Sequence, residues 1–163
     1  MEQTNMKKAF LQLHLSVLLA GFTGLFGKLV TLNEATLTWY RLFFSTMILL
    51  VFTGLPRVGW KKLLQIAGCG TLLGLHWLLF YSSIKLSNVS IGVVCFASMG
   101  FFTSFFEPLI FRKRFSPIET LLALITIAGL VCIFSFDSRY RLGIVVGIVS
   151  AAVCSLYATT SKK

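Results

Sequence analysis

The hydrophobic positions of this chain fall into six long runs separated by short breaks. A helix needs about 20 apolar residues to cross the hydrocarbon core of a bilayer, and each run reaches or approaches that length. The runs are Phe10–Leu32, Leu37–Leu55, Leu63–Leu86, Val89–Phe111, Ile118–Phe136 and Leu142–Ser161. We therefore expect an all-α integral membrane protein with six transmembrane helices, here called spans one to six.

The breaks between the spans consist of charged and turn-forming residues. They cover residues 33–36, 56–62, 87–88, 112–117 and 137–141. Because Ser87 and Asn88 alone separate spans three and four, those two spans must form a tight helical hairpin. No break is long enough to hold a soluble domain, so the function must come from the membrane region.

The composition supports a membrane protein and excludes other classes. Hydrophobic residues make up 56% of the 163 positions and charged residues 12%, whereas soluble domains carry about a quarter charged residues. A mean hydropathy of +0.87 excludes disorder, which requires low hydrophobicity. The basic residues cluster between apolar runs, as in membrane-flanking loops, rather than on one soluble face. The net charge of +10 therefore indicates a lipid bilayer as partner and not a nucleic acid.

The distribution of Lys and Arg predicts the orientation of the chain. Ten lie on the same side of the membrane as the N-terminus, and four lie on the other side. Arg41 is left out of this count because it falls inside span two. The positive-inside rule then predicts that residues 1–9 form a cytoplasmic segment. We expect a multi-pass protein of the plasma (inner) membrane. Lys7 and Lys8 could also begin a signal peptide. The apolar run after them is too long for one, however, and lacks a small-residue cleavage site.

Span one carries small and polar residues on one face. His14, Gly21, Gly24 and Lys28 lie within about 80° of one another at the helical period. One interpretation is a stripe that lines a water-filled path, with His14 and Lys28 as proton or gating groups. The alternative is close helix packing at the glycines, with His14 and Lys28 reaching opposite membrane surfaces.

A similar stripe runs along span four. It consists of Gly92, Phe96, Gly100, Thr103 and Glu107. We expect Gly100 to be a helix-packing position. The carboxylate of Glu107 precedes a proline, which leaves one backbone carbonyl of the span free. Glu107 could therefore take a proton, meet a cation or act in gating, or it could pair with the basic residues at 112–114.

Two pairs of glycines predict close contacts between helices. Gly70 and Gly74 form a GxxxG motif in span three, and Gly143 and Gly147 form another in span six. Such motifs let the backbones of two membrane helices approach each other.

Four further residues of spans two and three are candidates for binding a substrate. Trp77 and Tyr81 share a face of span three and could form an aromatic wall for an organic molecule. His76 lies near the middle of the span, where it could titrate or simply bond a neighbouring carbonyl. Arg41 lies near the outer end of span two and could either reach outward to water or point inward to attract an anionic group.

Enzymatic and metal-binding patterns are not found in the sequence. The segment from Gly21 to Lys28 loosely resembles a phosphate-binding loop, but Phe22 and Leu29 replace residues that such a loop requires. There is no HExxH or GxSxG motif, and the two histidines are 62 positions apart. Four cysteines without a CxxC pair give no zinc or disulfide framework. We therefore expect no catalytic residue, no metal and no cofactor.

Several motifs in order along the chain indicate a family. They are Gly24-Leu-Phe-Gly27-Lys28, Trp39-Tyr-Arg41, His76-Trp77 with Tyr81–Gly92, and Phe111–Pro117 followed by Ala128-Gly129. In this order and spacing the chain resembles the EamA-type half of the drug/metabolite transporter superfamily. The resemblance covers essentially the whole chain. One departure is Lys113, which stands where the family usually has a glutamate, while Glu107 lies a turn or two earlier.

The resemblance implies a five-span repeat followed by part of a second one. Family members have about ten spans in two repeats, and an odd number of spans inverts the second repeat. Residues 10–136 would then form one repeat, and residues 142–161 would start an inverted, truncated second repeat. The missing spans would follow in the same chain or come from a second copy as a dimer. The ten-to-four distribution of Lys and Arg favours the same chain, because dual-topology proteins need almost no bias.

The resemblance also implies a secondary transporter that exports small organic metabolites by alternating access. We expect Arg41 to contact the charge of the substrate, Trp77 and Tyr81 to contact its body, and His76 or Glu107 to carry a coupled proton. The alternative hypothesis is a non-transporting membrane scaffold or assembly subunit, whose polar stripes would be buried against another protein. An integral membrane enzyme is the weakest hypothesis, because no pair of catalytic groups is apparent.

Overall fold

The computed structural model describes residues 2–54, 58–134 and 138–162, and their regular structure is helical throughout. The elements are α1 (Glu2–Leu29), α2 (Glu34–Thr53), α3 (Trp60–Leu86), α4 (Val89–Ala97), α5 (Met99–Phe111), α6 (Pro117–Phe134), a 3₁₀ turn (Ser138–Tyr140) and α7 (Arg141–Thr160). Among these residues, five stretches are long and apolar enough to cross a membrane, with α4 and α5 counted together, and α6 is a shorter apolar helix. The predicted all-helical membrane fold is confirmed.

The helices follow the six predicted spans with shifted ends. α1 begins at Glu2, so most of the predicted segment 1–9 continues the helix of span one. Span four is divided at Ser98 into α4 and α5, a break that its apolar pattern did not predict. Some predicted span ends and loop residues lie outside the described residues, namely Met1, Leu55, Pro56, Arg57, Phe136, Asp137 and Lys163.

Polar side chains and special backbone angles define the helix ends. The Asn33 side chain accepts the Thr36 N–H at 2.7 Å and begins α2. Asn88 caps α4 in the same way, which produces the predicted tight hairpin after α3. Arg112 ends α5 in the left-handed conformation, with φ of 52°. Helices α2, α4 and α7 begin at one end of the bundle, which we call the Glu34 end. We call the opposite end the Glu107 end.

α7 is the centre of the packing. It lies against α3, α4 and α5, and its glycines allow close approach. A Cβ atom at Gly147 would lie 2.7 Å from the Cys95 Cβ and the Ser83 Oγ, and one at Gly143 would lie 2.7 Å from the Ser87 Cβ. The GxxxG contact predicted for span six is therefore present. The large apolar side chains of α1, α2 and α6 are mostly exposed, as expected for helices that face lipid or further helices.

The other predicted packing glycines divide into two groups. A Cβ atom at Gly24 would lie 3.2 Å from Val89, and one at Gly74 would lie 3.4 Å from Leu42, so both positions are helix contacts. At three other positions a Cβ atom would meet nothing within 4 Å among the described residues. These positions are Gly21, Gly70 and Gly100. Within the described parts of the chain the close contacts predicted there are absent, and these glycines face open space beside their helices.

Candidate functional site

An arginine inside α2 lies against two aromatic residues of α3. The guanidinium carbon of Arg41 is 3.6 Å from the centroid of the Trp77 ring, and its Nη1 donates to the Tyr81 hydroxyl oxygen at 2.9 Å. Trp77 and Tyr81 are one helical turn apart, so both side chains leave α3 on the same face. Arg41 lies about 10 Å along α2 from Glu34 at the helical rise of about 1.5 Å per residue. We call Arg41, Trp77 and Tyr81 the Arg41 cluster.

α1 supports the tyrosine of this cluster. A Cβ atom at Gly27 would lie only 2.6 Å from Cδ1 and Cε1 of the Tyr81 ring, so only glycine leaves the ring its present space. Phe80, Tyr81 and Ile84 form a small buried core. The exposed fraction of Tyr81 is 3%. The hydroxyl group that accepts from Arg41 is therefore held in place by three helices.

The Arg41 guanidinium keeps hydrogen-bonding capacity for a further partner. It carries five N–H donors, and the bond to Tyr81 uses one of them. Within the described parts of the chain, the ion pairs involve Glu107 rather than Arg41. A charged group at the centre of a span costs about 2.5–3.5 kcal/mol on insertion scales. An arginine held without a carboxylate is therefore suited to bind an anionic group.

His76 is directed toward α7 rather than toward Arg41. Its Nδ1 lies 2.9 Å from the Ser150 Oγ and 3.1 Å from the Ser150 carbonyl oxygen. The Ser150 hydroxyl also lies within donating distance, 3.0 Å, of the His76 carbonyl oxygen. The side chain is almost fully buried against the Phe96 ring. This matches the structural alternative for His76, in which the histidine bonds a neighbouring carbonyl.

Further polar contacts join α7 to the neighbouring helices. The Ser83 hydroxyl donates to the Gly143 carbonyl oxygen at 2.7 Å, and the Thr103 and Ser155 hydroxyl oxygens are 2.8 Å apart. With the His76–Ser150 contacts they form what we call the α7 seam. Ser83, Ser150 and Ser155 were not among the candidate residues predicted from the sequence. The regular spacing of small residues along span six was the signal that could have identified this buried face.

Glu107 forms an ionic cluster at the opposite end of the bundle. Its carboxylate lies 3.5 Å from Lys113 Nζ and 3.2 Å from Lys162 Nζ. Pairing with the basic segment after α5 was one of the two predicted alternatives, and Lys113 belongs to that segment. Lys162, which follows the end of α7, was not predicted to take part. Glu107 is therefore a contact between α5 and the end of α7.

Two open grooves lie beside these residues. One, of about 640 Å³, is lined by α4, α5 and α6 and includes Gly100 and Glu107. The other, of about 630 Å³, lies between α2 and α3 and includes Gly70, Gly74 and Thr38. The Thr38 hydroxyl is buried and has no hydrogen-bond partner among the described residues. Gly70 and Gly100, two of the glycines without a close contact among the described residues, each line one of these grooves.

Two of the predicted site residues are not brought to either cluster. His14 is exposed on α1, where its Nδ1 lies 2.8 Å from the Phe10 carbonyl oxygen of the same helix. Lys28 is exposed in the last turn of α1. Neither position tests whether these residues act in gating or reach the membrane surfaces, so both interpretations stay predictions. Among the described residues, no group of three or more His, Cys, Asp or Glu side chains could hold a metal ion.

Comparison with known proteins gives one match. The model of the EamA-like transporter family matches residues 7–135, which extend from the second turn of α1 to the end of α6. No curated protein and no solved structure matches the chain significantly.

Proposed function

This chain belongs to the EamA-like transporter family, and on that premise we propose that it exports small organic metabolites as a secondary transporter with alternating access. The family match and the long apolar helices identify a multi-pass membrane transporter of the drug/metabolite type. We assign it to the plasma membrane with a cytoplasmic N-terminus, because ten Lys and Arg residues lie on that side of the spans against four on the other.

The Arg41 cluster is the observation that carries the proposed substrate site. A charged residue inside a span usually pairs with another charged group or with a backbone carbonyl, whereas Arg41 stacks on Trp77 and bonds the neutral hydroxyl of Tyr81. Its planar guanidinium stays charged and keeps donors for a substrate anion. The face of Trp77 and the neighbouring apolar side chains would contact the body of the same molecule.

Alternating access requires a second set of spans. The family match ends at residue 135, before α7 begins at Arg141. We therefore assign α7 to the start of an inverted second repeat, whose other spans follow in the same chain or belong to a second copy. The contacts of His76 with Ser150 support this assignment, since they join α7 to the helix that carries Trp77 and Tyr81.

Deletion of the gene, followed by metabolite profiling of cells and medium, tests this proposal. We expect at least one small organic metabolite to accumulate in the cells and to decrease in the medium, and the full-length wild-type gene to reverse both changes. Arg41→Ala should reach the membrane but fail to reverse them. The matched control is Arg114→Ala, which changes an exposed arginine between α5 and α6 and should reverse them fully.

The possible outcomes separate the hypotheses. A metabolite that accumulates in the medium instead would indicate uptake rather than export. An unchanged metabolite profile would favour the membrane scaffold. Full complementation by Arg41→Ala, with export intact, would show that the Arg41 cluster does not bind the substrate.

A further inference from the structure

Two of the five acidic residues of the chain border one groove, although the net charge is +10. Glu107 of α5 and Glu119 of α6 both line the cavity of about 640 Å³, here called the α5–α6 groove. The groove is within the size range of small-molecule sites, about 300–1,000 Å³. The residues of the Arg41 cluster do not line it, so this groove is a separate site.

The groove has an apolar end and a charged end. Phe96, Met99 and Leu122 supply apolar walls. Glu107 follows Met99 by eight residues of α5, which corresponds to about 12 Å along a helix. The groove can therefore take an elongated molecule with an apolar body and a charged end.

The hydroxyl groups that line the groove already have partners. Thr103 contacts Ser155, Ser104 donates to the Phe101 carbonyl oxygen, and Thr126 donates to a carbonyl oxygen of α6. The two carboxylates are therefore the groups left to recognise the charged end of a ligand.

Two lysines show how an ammonium group reaches this end of the groove. Nζ of Lys162 and Nζ of Lys113 lie 3.2 Å and 3.5 Å from the Glu107 carboxylate, and their side chains are 55% and 63% exposed. Such exposed ion pairs are weak, because both partners are well solvated when apart. Both lysines come from outside the groove, so they can leave Glu107 without disturbing its walls.

We propose that the α5–α6 groove binds an organic ammonium ion with an apolar body, and that this ion displaces Lys113 and Lys162 from Glu107. The ammonium group takes the place of the lysine ammonium groups on Glu107, with Glu119 on the α6 wall of the same groove, and the body lies along Phe96 and Met99. The same chemistry is available from a free organic amine and from the headgroup of an aminolipid. Binding at this groove does not depend on the proposed transport function.

The test is a titration of the full chain in dodecyl maltoside micelles, which carry no ammonium group. The probe is 4-phenylbutylammonium, and 4-phenylbutanol is its neutral control. We expect the ammonium ion to bind about tenfold more tightly than the alcohol, as for a hydrogen bond to a charged group. Glu107→Gln should remove most of this difference. Glu119→Gln should do the same without breaking the lysine ion pairs, which makes it the safer variant for folding.

Removal of the two lysines that compete for Glu107 should raise the affinity for the probe, whereas removal of a carboxylate should lower it. The double variant Lys113→Gln, Lys162→Gln should bind the probe several-fold more tightly, and only while Glu107 is present. The matched control is Lys61→Gln, Lys62→Gln, which removes the same charge from exposed positions at the start of α3. Its affinity for the probe should equal that of the wild type.

Each outcome decides the proposal or the source of the ligand. Equal affinity for the ammonium ion and the alcohol, or no effect of either Glu→Gln variant, would overturn it. Equal tightening by both double-lysine variants would also overturn it, since surface potential would then explain the effect. Added phosphatidylethanolamine that weakens probe binding, when phosphatidylcholine does not, would identify an aminolipid as the occupant. If neither lipid competes, the occupant is a free amine.

Discussion

Gly27→Ala is expected to destabilise the protein through the Tyr81 ring. The added Cβ would lie 2.6 Å from two ring carbons, whereas ordinary contacts begin at 3.4 Å, so the ring must move by about 0.8 Å. The ring cannot swing into solvent, because Tyr81 is 3% exposed and packs with Phe80 and Ile84. Overpacking of this kind costs about 1–3 kcal/mol. A shift of that size also disrupts the 2.9 Å hydrogen bond from Arg41 to Tyr81.

A glycine of the same helix provides the matched control. Gly21 has nothing within 4 Å of its Cβ position, so Gly21→Ala should only gain helix propensity, about 0.5–1 kcal/mol. Denaturant titration in detergent micelles measures both free energies of unfolding. Gly27→Ala should be less stable than Gly21→Ala by about 1–3 kcal/mol. In a Tyr81→Ala background the two substitutions should have the same effect.

The result that would refute this reasoning is specific. Equal stability of Gly27→Ala and Gly21→Ala in the wild-type background would mean that the Tyr81 ring does not occupy the space beside Gly27. A difference that persists in the Tyr81→Ala background would assign the cost to another neighbour of α1.

Three further substitutions test the site and the centre of the fold. Gly147→Ala should destabilise the chain by about 1–3 kcal/mol, because the added Cβ would clash with α3 and α4. The control is Gly129→Ala, whose Cβ would meet nothing within 4 Å among the described residues. Equal stability of the two variants in the same titration would contradict this prediction. Ser150→Ala should cost about 1–3 kcal/mol, because it removes a buried hydroxyl from His76; an unchanged free energy of unfolding would contradict this. Arg41→Lys should keep the charge but lose export in the metabolite assay, because a lysine cannot reproduce the planar stack on the indole ring; full export would contradict this.

Local patterns predicted most of the fold. Long apolar runs and short polar breaks gave the six spans, because crossing a bilayer requires length and hydropathy that one segment supplies alone. The break at Ser98 was not predicted, because the mean hydropathy of a segment does not indicate where the helical backbone inside it is interrupted. The exact helix ends shifted for a similar reason, since capping by Asn33 and Asn88 depends on individual side chains.

The candidate site was predicted in part. The sequence named Arg41, Trp77 and Tyr81 but left open whether Arg41 points inward, because the rotation of α2 about its axis depends on contacts with residues 36 and 40 positions away. The same limit applies to Glu107, whose partner Lys162 is 55 positions away in sequence. Hydropathy and residue spacing predict which residues share one face of a helix. Which residues that face contacts depends on how the helices assemble.

The α7 seam constrains how the proposed alternating access can occur. Separating α7 from α3 and α5 would take the partners away from the fully buried hydroxyl groups of Ser83, Ser150 and Ser155. Each such loss costs about 1–3 kcal/mol, in addition to the close packing at Gly147. The face of α6 that lines the α5–α6 groove carries no such cost, because its Thr126 hydroxyl bonds a carbonyl oxygen of α6 itself. The Arg41–Tyr81 hydrogen bond in turn ties α2 to α3. We therefore expect α3, α4, α5 and α7 to move as one body, with the rearrangement concentrated at the surface of α6 that lines the groove.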